Sequence, residues 1–350
     1  MVSVVHSLQP SSDEAEAFSR LCLGLPADAA VRAGSALALA RAAYGERLLG
    51  TGESILQHAL GMALIVASLD LDVDARIAAL LFAASDHVKD SDERLKVGFG
   101  DTVAGLVAGL HRLGSLRPLT RAAAGVGGEG VADMRAQTEI LRKMLLAMVD
   151  DIRVVMLRLA SRVQTLRFLQ GQAGEQREEM ARESLLIYAP LANRLGIWHL
   201  KWELEDLAFR YLEPETYQRI ARMIDEKRSE RAGFIDQAVA RLQAELAAVG
   251  VRAEIYGRPK HIFSIWNKMR GKDIDFEQVY DVRAVRIIVD EVKDCYTALG
   301  IVHHLWQPIH GEFDDYISHP KGNYYRSLHT AVIADDGRAL EVQIRTPEMH

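Results

Sequence analysis

Val251-Arg-Ala-Glu-Ile-Tyr-Gly-Arg-Pro-Lys-His-Ile-Phe-Ser-Ile-Trp-Asn-Lys-Met269 is where the texture of this 350-residue chain changes. Before it the sequence is rich in Ala and Leu and poor in β-branched runs, which favours helix. Val251–Tyr256 has the texture of a strand instead, and Pro259 suits the first turn of a helix, where a missing N–H costs nothing. Lys260, Ser264 and Lys268 then recur at four-residue steps on one helix face. Ile262, Ile265 and Met269 occupy the other side, which is expected to pack on a sheet. Such a segment hands Arg258 to a helix N-terminus that carries two lysines and a serine in line. Exposed N–H groups, the helix dipole and the lysines all favour negative charge, so this is a surface for several phosphates.

Downstream, Val282–Val289, Thr330–Ala334 and Leu340–Ile344 read as further strands, with helices over 260–270 and 292–306. Asp281 stands at the leading end of one strand; Glu341, Gln343 and Arg345 share a face of another, with Val342 and Ile344 opposite. Two carboxylates on neighbouring strands, facing a basic helix, are what Mg²⁺-dependent phosphoryl transfer needs. Mg²⁺ takes one or two carboxylates and uses substrate phosphates as further ligands. In Lys321-Gly-Asn-Tyr-Tyr-Arg-Ser-Leu-His329 the adjacent tyrosines can stack a base, worth about 1–3 kcal/mol. Asn323 can hydrogen-bond the base edge, and Lys321 and His329 can reach phosphate.

Upstream, helical texture recurs near 13–49, 54–69, 73–88, 101–112, 132–148 and 150–170, and again from Glu175. Gly114 and Pro118 mark a break, and Gly125–Gly130 is expected to be a loop. A long amphipathic helix is expected between Ile220 and Ala248, carrying Ile235, Val239, Leu242 and Leu246, with Gly250 as its stop. The fold class is therefore α+β: an all-helical domain over 1–185 followed by a mixed-sheet domain over 186–350.

Four of these stretches, GRPKHIFSIWNKM (257–269), YDVRAVRIIV (280–289), EFDDYISHPKGNYYRSLHT (312–330) and EVQIRT (341–346), together resemble the RelA/SpoT family of guanosine tetra- and pentaphosphate enzymes in order and spacing. IYAPLANRLGIWHLKWELEDLAFRYLEPETY (187–217) is similar to the family as well. The resemblance implies a nucleotidyltransferase-like synthetase domain behind a helical HD-type hydrolase domain. It implies pyrophosphate transfer from ATP to the 3′-hydroxyl of GDP or GTP, releasing AMP, with Mg²⁺ as cofactor. Carried over by position, Arg258 stacks on the adenine and Lys260, Ser264 and Lys268 hold the ATP phosphates. Asp281 and Glu341 hold Mg²⁺; Glu341 also helps deprotonate the acceptor hydroxyl, and Gln343 positions the acceptor. Tyr325 stacks the guanine, Asn323 reads its edge, and Lys321 and His329 contact phosphate. The usual loop reads Lys-Pro-Asn-Gly-Tyr-Gln-Ser-Leu-His; Gly322, Tyr324 and Arg326 depart from it, so Tyr324 competes for the stacking role. Arg286 is implied on the second adenine face, although strict strand alternation puts it opposite Asp281.

The same resemblance implies a hydrolase metal site built from a first His, a His-Asp pair and a later Asp. His58 stands at the first position. Phe82 and Ala83 replace the pair, Ser161 the last Asp, and Thr165 a nearby Asn. Phenylalanine and alanine cannot ligate a metal, and Asp86 and His87 fall in the wrong helical register. His58 is expected to be packed or exposed, and hydrolase activity absent. Glu312-Phe-Asp-Asp315 is the acidic form of a tetrapeptide that accompanies synthetase-only members, and it lies where it can influence metal or acceptor binding. A bifunctional enzyme and a non-catalytic nucleotide sensor are the alternatives. Ribosome and uncharged tRNA are implied as partners only through C-terminal domains. The chain ends at His350, inside what the family continues, which implies a fragment.

Composition agrees with a soluble globular protein, at 49% hydrophobic and 26% charged residues. A net charge of −6 argues against coating DNA or other nucleic acid, though not against a local basic pocket. Cys22 and Cys295 have no metal-type spacing and read as reduced thiols. No apolar run reaches the roughly 18–20 residues of a membrane span, and the start lacks signal-peptide character, so the expected location is the cytoplasm.

Overall fold

The computed structural model describes residues 14–115, 150–172, 174–226, 228–257, 261–272, 283–321 and 325–349. Arg258, Lys260, Asp281, Asn323 and Tyr324, the Gly-rich stretch 125–130 and the segment 132–148 lie outside the described residues. The chain forms two compact units. One runs to Ala192 and takes in Ile197–Leu212; the other comprises Asn193–Gly196 and everything from Glu213.

The helical unit is built from α1 (Glu14–Leu21), α2 (Ala27–Tyr44), α3 (Ile55–Ser68), α4 (Val73–Leu80), α5 (Ala84–His87), α6 (Ser91–Phe99) and α7 (Asp101–Ser115). After the undescribed stretch come α8 (Ile152–Phe168), α9 (Glu175–Glu183), α10 (Ala189–Arg194) and α11 (Trp198–Leu212). Helices α3 and α8 pack on each other and bury residues on most of their circumference, as centre-of-core helices do. Helices here start where side chains satisfy orphan N–H groups: Asp72 caps α4 by accepting from Ala75 N at 2.9 Å, and Asp151 caps α8 by accepting from Arg153 N. The unit continues past 185 because α11 is tied to α8. Arg167 bonds Glu203 through two nitrogens, and the Tyr211 hydroxyl donates to the Leu166 carbonyl at 2.5 Å.

The second unit holds α12 (Pro214–Glu226), α13 (Arg228–Ala248), α14 (Ile262–Lys272), α15 (Val292–Leu305) and a five-stranded sheet. Its strands are β1 (Ala253–Gly257), β2 (Ala284–Val289), β3 (Gln307–Asp315), β4 (Leu328–Ile333) and β5 (Ala339–Arg345), in the order β1-β2-β5-β4-β3. β2 and β5 are parallel; every other neighbouring pair is antiparallel. One face carries Val285, Ile287, Val289, Leu340, Val342, Ile344, Leu328 and Val332, packed with Leu242 and Leu246 of α13 and Cys295, Ala298 and Val302 of α15. At Gly257, where β1 ends, a Cβ would stand 2.6 Å from Ile235 of α13, so only glycine fits that approach.

β3 has no counterpart among the sequence-expected strands. It is a mostly exposed edge whose polar residues and register shift between Pro308 and Phe313 hide any alternation, with Gly311 at φ 80°. A second difference concerns α14. Ile262 and Ile265 are buried as expected, but the helix packs chiefly on α12, whose Ile220 and Ile224 are buried too, rather than on the sheet. The sheet's apolar face is already covered by α13 and α15, and its other face is polar, so the apolar stripe of α14 finds its match in another helix.

Candidate active site

That polar face is assembled by register. β2 and β5 align Ala284 with Glu341 and Arg286 with Gln343, while β5 and β4 align Gln343 with His329. β1 adds Tyr256 opposite Arg286, and β3 adds Asp314 opposite His329. Side chains of directly paired residues share a face, so Tyr256, Arg286, Gln343, Glu341, His329 and Asp314 form one polar surface. β2 begins only at Ala284, two residues later than expected. Arg286 lies on the Glu341 face; Asp281, from which the alternation was counted, lies outside the described residues.

Gln343 is 2% exposed and its Nε2 donates to Glu341 Oε1 at 2.8 Å. His329 Nδ1 stands 3.8 Å from the same oxygen, and His329 Nε2 lies 2.8 Å from the Tyr325 hydroxyl. Two buried polar atoms here, Arg286 Nε and Gln343 Oε1, have no hydrogen-bond partner, a state that costs about 1–3 kcal/mol per group until something fills it. Arg286 also places its guanidinium 5.8 Å from the centre of the Tyr256 ring.

Beside this face the rings of Tyr316, Tyr325 and His329 meet edge to face, with centroids 5.4–6.2 Å apart. Lys321 Nζ sits 4.1 Å from the Tyr316 ring centre and 5.8 Å from that of Tyr325. Tyr316 was not among the sequence-derived site residues; its signal was its place directly after the acidic tetrapeptide, at the end of β3. Burial, then a hydrogen bond to Asp314, pushes its hydroxyl up to about 12, so it stays protonated. The acidic tetrapeptide divides: Asp314 faces the site, whereas Asp315 turns away to bond Ser318 and Tyr296. Ser264 and Lys268 lie half-buried on α14.

In the helical unit, His58, Phe82, Ala83, Ser161 and Thr165 line one cavity of about 880 Å³, together with Asp86 and His87. His58 is buried, with its ring 5.0 Å from that of Phe82. Asp86 pairs with His111 at 3.5 Å rather than with His58. The Ala83 N–H donates to the Tyr44 hydroxyl, and the Thr165 hydroxyl to the Ser161 carbonyl. Among the described residues no group of three His, Cys, Asp or Glu side chains could hold a metal ion.

The comparisons with known proteins converge on both units. Residues 36–198 match the HD domain, and residues 257–350 match the region found in RelA / SpoT proteins. The chain belongs to the RelA/SpoT family. It is 45% identical over 296 residues to the GTP pyrophosphokinase of Escherichia coli (strain K12), covering 85% of this chain and 39% of that protein. It is 42% identical over 312 residues to the guanosine-3′,5′-bis(diphosphate) 3′-pyrophosphohydrolase of Aquifex aeolicus, covering 89% of this chain and 43% of that protein. The chain thus spans about two fifths of the length of these relatives. A solved structure of the small alarmone synthetase 1 from Bacillus subtilis, bound to its product pppGpp, is similar over 33% of this chain and 71% of its own, at 26% identity and a TM-score of 0.28. Among the described residues no helix is long and apolar enough to cross a membrane.

Proposed function

We propose that the sheet unit transfers pyrophosphate from ATP to the 3′-hydroxyl of GDP or GTP, making guanosine tetra- or pentaphosphate and AMP. The observation that carries this reading is the polar sheet face, where Glu341 is held by Gln343 beside two buried polar atoms that lack partners. The groups fit Mg²⁺: a carboxylate on the face, with Asp281 as the second expected ligand, suits an ion that takes one or two carboxylates and completes its shell from phosphates. When bound, Mg²⁺ would neutralise charge on the phosphates undergoing transfer.

The chain's own residues do the rest. Gln343 fixes the Glu341 carboxylate by its hydrogen bond, which orients the group to accept the proton of the attacking 3′-hydroxyl. Tyr325, backed edge-on by Tyr316 and His329, offers a ring for the guanine, and Lys321 brings a cation to the same spot. Lys268 and Ser264, with Arg258 and Lys260 before them, are assigned to the ATP phosphates, and Arg286 to the adenine. Asn323 is assigned to the guanine edge. Charge neutralisation and positioning supply the catalysis, with no covalent intermediate on the protein.

We also propose that the helical unit does not hydrolyse the product, because Phe82, Ala83 and Ser161 stand where metal ligands would be needed. Labelled ATP with GDP or GTP and Mg²⁺, followed by nucleotide separation, tests the synthetase. AMP matching a guanosine polyphosphate, lost in Glu341→Gln, is expected; nucleotide binding without AMP would leave a sensor. Loss of added product with Mn²⁺ would overturn the inactive-hydrolase reading.

A further inference from the structure

The residues that replaced the hydrolase ligands are not idle packing. Glu53 lies just before α3 and His58 within its first turns, and Ser161 and Gln164 come from α8, more than a hundred residues away in sequence. His58 Nδ1 lies 2.7 Å from Glu53 Oε2, and His58 Nε2 lies 2.9 Å from Ser161 Oγ. The other Glu53 oxygen accepts from Gln164 Nε2 at 2.7 Å. A carboxylate only accepts, so Nδ1 carries the proton; in the neutral imidazole Nε2 then presents its lone pair. In that tautomer the Ser161 hydroxyl is the donor to Nε2. That is the protonation pattern of a nucleophile, its general base and an orienting acid.

A buried histidine needs two hydrogen-bond partners and nothing more. Here the hydroxyl at the end of the chain also opens on the 880 Å³ cavity, where Ser161 and His58 are both wall residues. The adjoining wall is apolar at Met62, Phe82, Ala83 and Leu110. A cation is present too: Arg162 lines the cavity, is 3% exposed, and its Nη1 makes no hydrogen bond although Nη2 is paired with Glu183.

We propose that Ser161, His58 and Glu53 form an acyl-transfer site for small carboxylic esters with an apolar acyl group, independent of the nucleotide chemistry of the sheet unit. Ser161 Oγ bonds to the ester carbonyl carbon while its proton passes to His58 Nε2. The negative charge that develops on the carbonyl oxygen is met by Arg162. Collapse breaks the ester C–O bond, and the departing alcohol oxygen takes the proton from His58. Water then gives a proton to His58 and its hydroxyl to the acyl carbon; Ser161 leaves with that proton, and the free carboxylic acid is released. Glu53 orients the imidazole throughout and is not protonated.

The test is covalent labelling of the full 350-residue chain by a fluorophosphonate in the presence of EDTA, read by intact mass and peptide mapping. One adduct per chain on Ser161 is expected, absent in Ser161→Ala and at least ~10-fold slower in His58→Gln and Glu53→Gln. Hydrolysis of p-nitrophenyl butyrate should follow the same order and be unchanged in Glu341→Gln. A folded wild-type chain, judged by circular dichroism, that takes no label at Ser161 overturns the proposal. So does a labelling rate that is the same in Glu53→Gln as in the wild type. Should His58→Gln fail to fold, Glu53→Gln and Ser161→Ala decide.

Discussion

The polar groups around Glu341 and those around His58 are similar in kind and opposite in arrangement. On the sheet, Arg286 Nε and Gln343 Oε1 are buried without partners, and the acid shares its oxygen with an amide and a nearby imidazole. Between α3 and α8, both oxygens of Glu53 and both nitrogens of His58 are engaged, and the chain of bonds runs to a single hydroxyl on a cavity wall. An arrangement with unfilled valences gains by taking in a ligand that is itself polar and charged. Around His58 the acid and the imidazole are satisfied by the protein itself, with Gln164 Oε1 the network's buried atom left without a partner, and what this arrangement can offer is a directed proton.

The largest effect expected from breaking this contrast is on the sheet. Glu341→Gln should cut AMP release by roughly 10²–10⁴-fold, the range for loss of a positioned proton acceptor, while thermal unfolding changes little. In the helical unit the sharpest handle is the ion pair Arg162–Glu183, whose side chains are 2% and 3% exposed. Glu183→Ala strands a buried guanidinium and should cost about 3–5 kcal/mol in urea unfolding. Tyr325→Ala removes the ring offered to guanine and should weaken nucleotide binding by about 1–3 kcal/mol, seen as a raised KM for GDP or GTP.

The smallest effect is one of pH. Burial alone would raise the Asp336 carboxyl, but the hydrogen bonds from Arg283 and the Arg338 backbone N–H, with the charges of both arginines, together outweigh it and hold the group below the usual carboxylate range. A carboxylate lowered on folding stabilises the native state above its unfolded pKa and loses that contribution as pH falls through its folded one. Asp336→Asn should therefore flatten the acid limb of the stability curve below about pH 4, with little change at neutral pH.

What the sequence disclosed was local. The four-residue step from Ser264 to Lys268 on α14 and the alternation of β5 are written in neighbouring residues, and both stand in the structure, as two half-buried side chains and as the Glu341–Gln343 face, while Lys260 lies outside the described residues. What it concealed depends on partners distant in the chain. The apolar face of α14 is plain in sequence, but nothing in it names α12 rather than the sheet as the surface to be covered. Ser161 reads as a lost metal ligand, and only the packing of α3 on α8 turns it into the partner of His58. The helical unit outruns its expected boundary for the same reason, since Arg167–Glu203 and Tyr211–Leu166 join segments that look separate on paper. Edge strand β3 was hidden because an edge needs no alternation.

β5 lies at the centre of the sheet, between β2 and β4, yet it follows every other described strand in sequence. During synthesis the ribosome therefore delivers β1–β2 and β3–β4 as two hairpin-like halves whose inner edges have no neighbour until residues 339–345 emerge. Glu341 arrives on that last strand, so the carboxylate and the closure of the sheet come in one event. A chain stalled before β5 exposes two unpaired edges that invite aggregation.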